Sequence, residues 1–304
     1  MDRFQEMQVF LAVAEEEGFA LAARRLNLSP PSVTRAVASL EERLGTLLLA
    51  RTTRSVRLTE AGQRYLADCR RILAELEEAE ESAAGSHASP RGQLTLSAPM
   101  LFGELFVTPL MVDYLEQHPA VSIKALLVDR VVSMLEEGID VAIRIGNLPD
   151  SGLHALPVGF VRQVLCAAPS YLAKHGRPQH PAELPEQRIV MSSSSNLSSD
   201  WRFSQAGESF SVAPVPRLIV SANQAAIAAA KLGWGLTRVL SYQVAAPVAA
   251  GELELLLEQF EPPALPIHVV YQGGRKVPAK VRSFVDYCAA QLRQNAALNP
   301  PLKG

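Results

Sequence analysis

The sequence predicts a small all-α head carrying a β-hairpin, then one long helix, then a larger α/β body. Three observations carry this prediction. The first 60 residues hold three short helical patterns followed by two short strand-like runs. Residues 60–84 hold a single long amphipathic pattern. From residue 93 onward, strand-type and helix-type runs alternate.

In the head, Phe4, Val9, Phe10, Val13 and Ala14 fall at helical spacing. A short second helix over 19–26 turns Ala22, Ala23 and Leu26 inward, and Asn27-Leu28-Ser29 makes the turn. Ser29 reads as an N-cap, with Pro30 at the first helical position, where its missing N–H costs nothing. The third helix covers 30–43. Val33, Val37, Leu40 and Leu44 form its buried stripe, while Pro31, Arg35, Ala38 and Glu42 point away and Ser32, Thr34 and Ser39 flank them. Gly45 stands at the usual C-terminal stop.

Residues 47–49 and 51–58 read as two short strands around a basic tip. Thr59 caps the long helix, with Gly62 one turn in. At about 1.5 Å per residue, this helix of some 25 residues is about 38 Å long. Its one-sided apolar seam, with Tyr65, Leu66, Ile72, Leu73 and Leu76, calls for a partner helix and predicts dimerisation. The Gly, Ser and Pro over 85–92 mark a hinge.

In the body, strands are expected at 93–98, 121–128, 140–145, 163–168, 218–220, 236–237 and 267–271. Helices are expected at 104–117, 131–137, 170–175, 224–232 and 278–294. Such alternation implies parallel sheets.

The chain has 304 residues, 48% hydrophobic and 20% charged, with a mean hydropathy of +0.10. That is an ordinary globular composition with room for two or three packed units. Net charge is −2, yet residues 24–71 carry ten Arg, no Lys and four acids, a surplus of six. Glu75, Glu77, Glu78, Glu80 and Glu81 follow with no base among them. A phosphate-binding head on a neutral body looks like this, and so does a solvated charged surface; charge alone does not separate the two. Cys69, Cys166 and Cys288 are too far apart in sequence for a C-x-x-C pair and fit reduced, buried thiols, with redox sensing as the alternative for any one of them. The start Met1-Asp2-Arg3-Phe4 has no signal-peptide pattern, and no run approaches the roughly 18 apolar residues of a membrane span. A cytoplasmic location is expected.

Three helices, the last capped by Ser29 and followed by a basic hairpin, make a winged helix-turn-helix pattern. A helix fits the major groove of DNA, and residues near its N-terminus reach base edges. Ser29, Pro31, Ser32, Thr34 and Arg35 are the candidate contacts on the helix, and Arg51, Thr53, Arg54 and Arg57 those on the wing, where Arg neutralises phosphate. Three-helix units also serve as plain packing domains, so the pattern alone leaves both readings open.

The residues themselves then carry a resemblance. The stretch from Ala22-Ala23-Arg24-Arg25-Leu26 through Leu28-Ser29-Pro30-Pro31-Ser32-Val33-Thr34-Arg35 to Leu40-Glu41-Glu42-Arg43-Leu44-Gly45 strongly resembles the LysR-type transcriptional regulators. So do Leu48-Leu49-Ala50-Arg51-Thr52-Thr53-Arg54 and Leu58-Thr59-Glu60-Ala61-Gly62. Val128-Asp129-Arg130, Glu137-Gly138-Ile139-Asp140-Val141-Ala142-Ile143-Arg144-Ile145-Gly146, Ala168-Pro169-Ser170-Tyr171-Leu172 and Gly233-Trp234-Gly235 resemble that family's effector domain. The Arg144-Ile145-Gly146 form resembles the branch around the CrgA regulators. One departure stands out: the family opens its second helix with Ser-Phe-Thr, and this chain has Gly18-Phe19-Ala20, so the capping hydroxyls are missing.

The resemblance implies a winged helix-turn-helix domain at 1–59, a linker and dimerisation helix with hinge at 60–91, and an effector-binding domain at 92–304. That domain would be periplasmic-binding-protein-like, with subdomain I at 92–162 and 267–304 and subdomain II at 163–266. The chain would cross between them near 147–162 and 262–266, and a small-molecule effector of unknown identity would sit in the cleft. Ser97, Pro99, Met100 and Leu101 are candidate wall residues, at a helix start that offers N–H groups to an anion or carbonyl. Ser193 and Ser194 lie in a polar loop of the other subdomain, Asn147 at a crossing, and Asn223 before a helix. Plainer readings stand beside these: Asn223 as a cap, the serines as an ordinary loop, Met100 and Leu101 as core, and Arg144 paired with Asp140. The implied partners are double-stranded promoter DNA, the effector and RNA polymerase, in a homodimer that doubles to a homotetramer.

The rivals lack their motifs. The six His form no metal-ligand set, no G-x-S-x-G elbow occurs, and Gly233-Trp234-Gly235 lacks the third glycine of a dinucleotide loop. Neither an enzyme nor a cofactor or metal is expected. A secreted transport protein would need a signal peptide and no Arg-rich head.

Overall fold

The computed structural model describes residues 2–51, 56–83, 89–193, 200–273 and 277–299. They gather into two compact units, one holding the first 89 residues with short later stretches, the other holding the rest.

In the first unit, α1 (Arg3–Glu15) starts at Asp2, whose carboxylate accepts the Gln5 N–H at 2.8 Å. The next helix, α2 (Phe19–Arg25), opens at Gly18 with no side-chain cap, as the missing Ser-Phe-Thr triplet implies. Asn27 then turns the chain at φ +53°, and Leu28 N–H closes back on the Ala23 carbonyl at 2.9 Å. Ser29 caps α3 (Pro30–Leu44), its Oγ accepting the Ser32 N–H. The buried stripe of α3 is Val33, Ala36, Val37, Leu40 and Glu41. Leu44, expected in that stripe, is exposed, because the helix has left the core by the time Gly45 stops it in a left-handed cap.

Strands β1 (Leu49–Arg51) and β2 (Val56–Leu58) pair antiparallel, Leu49 opposite Leu58, and form the root of the wing. Residues 52–55 at its tip, with Thr53 and Arg54, lie outside the described residues, as does the Arg51 side chain. Helix α4 (Glu60–Ala83) is capped by Thr59, whose Oγ1 accepts the Gly62 N–H at 2.9 Å and donates to the Leu47 carbonyl at 2.7 Å. Cys69 of α4 is buried in one core with Phe10, Val13, Val37, Leu40 and Leu48, and the Tyr65 ring stands 5.7 Å from that of Phe10. The first turns of the long helix therefore complete the head.

The second unit begins with β3 (Gly92–Ala98), then α5 (Met100–Phe102), a π-helical turn over Gly103–Val107, and α6 (Thr108–Gln117). This helical run begins at Met100, four residues before the expected start. Strands β4 (Val121–Leu127), β5 (Val141–Ile145) and β6 (Leu153–Val161) follow. The chain then enters a second sheet through β7 (Gln163–Ala167), α7 (Pro169–His175), β8 (Ile189–Ser192), the hairpin β9 (Trp201–Gln205) and β10 (Glu208–Val212), and β11 (Pro216–Val220). Next come α8 (Asn223–Lys231), β12 (Leu236–Leu240), α9 (Ala245–Ala249) and β13 (Glu254–Leu256). Finally β14 (Leu265–Gln272) returns to the first sheet and α10 (Ala279–Gln294) closes the domain.

The sheet orders are β4-β3-β5-β14-β6 and β11-β8-β12-β7-β13, giving two subdomains. Neither sheet is purely parallel, contrary to expectation. β14 runs antiparallel to β5 and β6, and β7 runs antiparallel to β12 and β13. The cause is topological: a strand that re-enters from the other subdomain has no crossover helix to reverse its direction. The expected helix at 131–137 is a single turn closed by Glu137 N–H on the Ser133 carbonyl, ending at Gly138 with φ +62°. Val132 and Met134 are buried there while Val131 and Leu135 are exposed, and the positive φ of Gly138 stops the turn. The first crossing between sheets is narrower than 147–162: β6 belongs to the first sheet, so only Arg162 separates the two. Asn147 lies before β6, exposed and away from the crossing.

Gly62 packs so closely that a Cβ would fall 2.0 Å from the Leu48 carbonyl oxygen. Gly62→Ala is expected to destabilise the head by at least about 2 kcal/mol, because backbone rather than a flexible side chain must yield. Urea denaturation of the variant against the parent protein reads this directly.

Candidate nucleic-acid interface and effector cleft

The exposed side of α3 is set by what its other side is tied to. Glu6 on α1 is 5% exposed, and its carboxylate accepts Ser39 Oγ–H and an Arg43 guanidinium N–H, each at 2.7 Å. Burial pushes its pKa up, but the bonds from Ser39 and Arg43 outweigh it and hold the carboxyl below its ordinary value. The Arg43 guanidinium is correspondingly raised, first by its bond to Glu6. Glu41, also buried, accepts Leu48 N–H at 2.8 Å and Leu49 N–H at 3.0 Å through one oxygen. Helix and wing root thus share a carboxylate.

Pro31, Thr34 and Arg35 are exposed on the first two turns of α3, with Ser29 exposed at the cap and Ser32 half-buried beside it. Ser29 and Ser32 share a hydroxyl hydrogen bond of 2.8 Å. The Thr34 hydroxyl donates to the Pro30 carbonyl at 3.0 Å, which leaves its lone pair and methyl for a base edge. Arg57 is exposed on β2.

Among the described residues of the head, several arginines are ion-paired and others are exposed. Arg25 pairs with Glu15 and Glu16, Arg43 with Glu6, Arg64 with Glu60, and Arg70 with Glu15. Arg24, Arg35 and Arg57 stay exposed. Over residues 2–71 there are eleven Arg against nine acids, a surplus of two, so the head's attraction for phosphate comes from this segregation rather than from net charge. Sequence reasoning missed Glu6 and Glu41; a Glu placed among apolar helix positions was the available signal.

The effector candidates gather at the carboxyl ends of parallel strands, where α/β sheets bind ligands. Ser97, Pro99, Met100 and Leu101 stand at the end of β3, with Ser97 buried and Met100 exposed. Asn147 follows β5, Ser193 follows β8, and Asn223 follows β11. Ser194 lies outside the described residues. Ser193 is exposed and closes on Val220 through its N–H at 2.8 Å. Asn223 is not a cap: Ala222 holds that position, and Asn223 is the buried first residue of α8. The start of α5 does not offer its first N–H to a ligand, because Met100 N–H donates to the Asp129 carboxylate at 2.9 Å. Asp129, just past the end of β4, is a rim residue that the sequence reading did not single out. Arg144 donates to the Val132 carbonyl, and Asp140 accepts the Thr95 N–H at 2.7 Å. All three cysteines are buried, and burial pushes each thiol up to about 12, which disfavours the reactive thiolate. No described helix is long and apolar enough to cross a membrane.

Two family models match: the bacterial regulatory helix-turn-helix protein of the lysR family over residues 4–63, and the LysR substrate binding domain over 87–293. An HTH-type transcriptional regulator of Xanthomonas campestris pv. campestris is 35% identical over 293 residues, 95% of this chain and 85% of that one. The solved structure of CrgA, a LysR-type transcriptional regulator from Neisseria meningitidis, is 31% identical with a TM-score of 0.60, covering 95% of this chain and 98% of that one. Full-length AphB, a virulence activator of Vibrio cholerae, is 25% identical with a TM-score of 0.63, covering 95% and 99%.

Two measurements test the head. Glu6→Gln is expected to cost about 1–2 kcal/mol near neutral pH, since a charge-assisted bond is lost while the amide still accepts from Ser39. Because the folded carboxyl lies below its ordinary value, this stabilisation is present above about pH 4.5 and fades as pH falls through the folded value. Parent and variant should therefore converge when denaturation is followed from pH 6 down to pH 3. Separately, Arg35→Ala should cut the preference for selected over random DNA by about tenfold or more. Arg57→Ala should weaken both about equally and lower the salt slope by about one. Titrations with both DNAs over a salt series separate the two roles.

Proposed function

This chain belongs to the LysR family of DNA-binding transcriptional regulators, and from that premise we propose how its parts divide the work. Two subunits pair through the seams of their α4 helices, and two such dimers join into a tetramer. The paired heads meet an interrupted dyad in promoter DNA, with the first turns of α3 in the major groove and the wing, including Thr53 and Arg54, against the phosphates alongside. Ser29, Pro31, Ser32, Thr34 and Arg35 read or brace the bases; Arg51 and Arg57 neutralise backbone charge. The protein works in the cytoplasm, without metal or cofactor, and acts on RNA polymerase.

A small-molecule effector sits between the two subdomains, against Ser97, Pro99, Met100 and Leu101 on one rim and Ser193, Ser194 and Asn223 on the other, with Asn147 at the margin. Its binding favours one spacing of the heads over another, which alters DNA bending and polymerase access.

The single observation that carries the reading is the pair of opposite faces on α3. One is locked to Glu6 and the wing root; the other presents Pro31, Thr34 and Arg35 outward. The test is fluorescence anisotropy of the purified protein on the intergenic DNA beside its own gene, over a salt series with random DNA as competitor. The expected result is preferred binding that weakens steeply with salt. Equal binding to random DNA here and to every fragment in a genome-wide pull-down would overturn the reading.

A further inference from the structure

The chain passes between the subdomains twice, at Arg162 and again between Glu261 and Leu265. These two strands are fastened to each other. The Arg162 guanidinium donates to both Glu261 carboxylate oxygens, at 3.1 and 3.0 Å, and to Glu258 at 3.3 Å. Its backbone is held too: Arg162 N–H donates to Ser241 Oγ at 3.1 Å, and Ser241 N–H donates to the Arg162 carbonyl at 2.8 Å. The two glutamates bracket a short helical turn entered through Leu257 at φ +56°. A bulky side chain rarely adopts that conformation, so the turn is kept at a cost in backbone strain.

Behind this fastening lies Arg238 of β12, 8% exposed, its guanidinium 4.8 Å from the Phe203 ring and donating to the Arg202 carbonyl at 2.6 Å. Burial pushes the Glu261 carboxyl above its ordinary value, opposed first by Arg162 and last by Arg238. In front lies Tyr242, next to the Ser241 that grips Arg162. Its ring meets Phe102 edge-on at 5.4 Å and Phe106 at 5.8 Å, both in the helical run that lines the first rim. One connected path therefore runs from the wall of the cleft, through Tyr242 and Ser241, to both crossings.

We propose that Arg162, Glu258 and Glu261 form a latch across the two crossings, and that Arg162 is a positioning residue which sets how far the subdomains open. The proposal rests on the reading of the cleft as an effector site. While the latch holds, the crossings share one geometry, and the Phe102–Phe106–Tyr242 contact stays closed. When it releases, each crossing rotates independently and the rims part.

Hydrogen exchange on the full-length protein tests the latch without any effector, so its failure is distinguishable from failure of the effector reading. Arg162→Gln is expected to speed exchange about fivefold in peptides covering residues 159–166 and 238–244, with no change in peptides from the centres of β3 and β5. Because all three bonds leave a single guanidinium nitrogen, Arg162→Lys, which keeps the charge and a donor, should recover part of the protection. The charge-exchanged pair Arg162→Glu with Glu261→Arg should recover more than either substitution alone. Unchanged exchange at the crossings, or an increase spread evenly over the whole domain, overturns the latch. If Arg162→Gln does not fold, Glu258→Gln and Arg162→Lys carry the same comparison.

Discussion

The geometry of the head turns on one buried carboxylate. Glu41 sits on the core side of α3 and takes the N–H groups of Leu48 and Leu49 through a single oxygen. A charged acceptor serving two buried backbone donors is among the stronger bonds a small domain can make. Losing it leaves those donors without their partner. The same Leu48 peptide offers its carbonyl to Thr59 N–H at 2.9 Å, and Gly62 lies against that oxygen. Three elements, α3, the wing and α4, therefore meet at one peptide unit. The start of α3 and the root of the wing are consequently held to one another through that peptide.

This economy extends to the charges. An Arg-rich stretch suggests a uniformly positive surface, but the fold spends several of these residues internally. Glu6, Glu15 and Glu16 on and after α1 answer Arg43, Arg25 and Arg70. Apart from the buried Glu6, the more exposed pairs of this kind, such as Arg25 with Glu16, add little stability individually. Their larger effect is on the field: they neutralise these arginines locally, while Arg24, Arg35 and Arg57 stand on exposed surface. A nearly neutral head can then present a positive face where the recognition helix begins.

Legibility in the sequence follows the range of the interaction. The cap at Ser29 with Pro30, the stop at Gly45 and the cap at Thr59 were readable because each is decided within a few residues. Glu6 and Glu41 were not, since what makes a carboxylate welcome in a core is a partner on another segment; Ser39 lies 33 residues from Glu6. The edge strand β6 was missed because Pro157 and Gly159 interrupt its pattern; an edge position tolerates proline where a central one would not. The two mixed sheets escaped for a different reason. Period-two alternation reports a strand's faces but carries no information about its direction. At the cleft, the residue types at the ends of β3, β8 and β11 were visible, whereas Asp129 on the start of α5 depends on a pairing of strands that only the folded chain brings together.

The two-subdomain design also constrains what an effector can do. Both sheets end their parallel strands in loops, where α/β sheets commonly bind ligands, and the chain joins the sheets through crossings of one and a few residues. With so little connecting chain, opening and closing are motions of rigid parts rather than local rearrangements. A ligand that touched one rim alone would bind the open and closed forms equally well and shift nothing, however tight its binding. An effector held in the proposed cleft would therefore draw its differential affinity from both rims at once. On that proposal, the polar residues that decide the response would be those that change neighbours as the cleft closes, rather than those that hold the ligand equally in both forms.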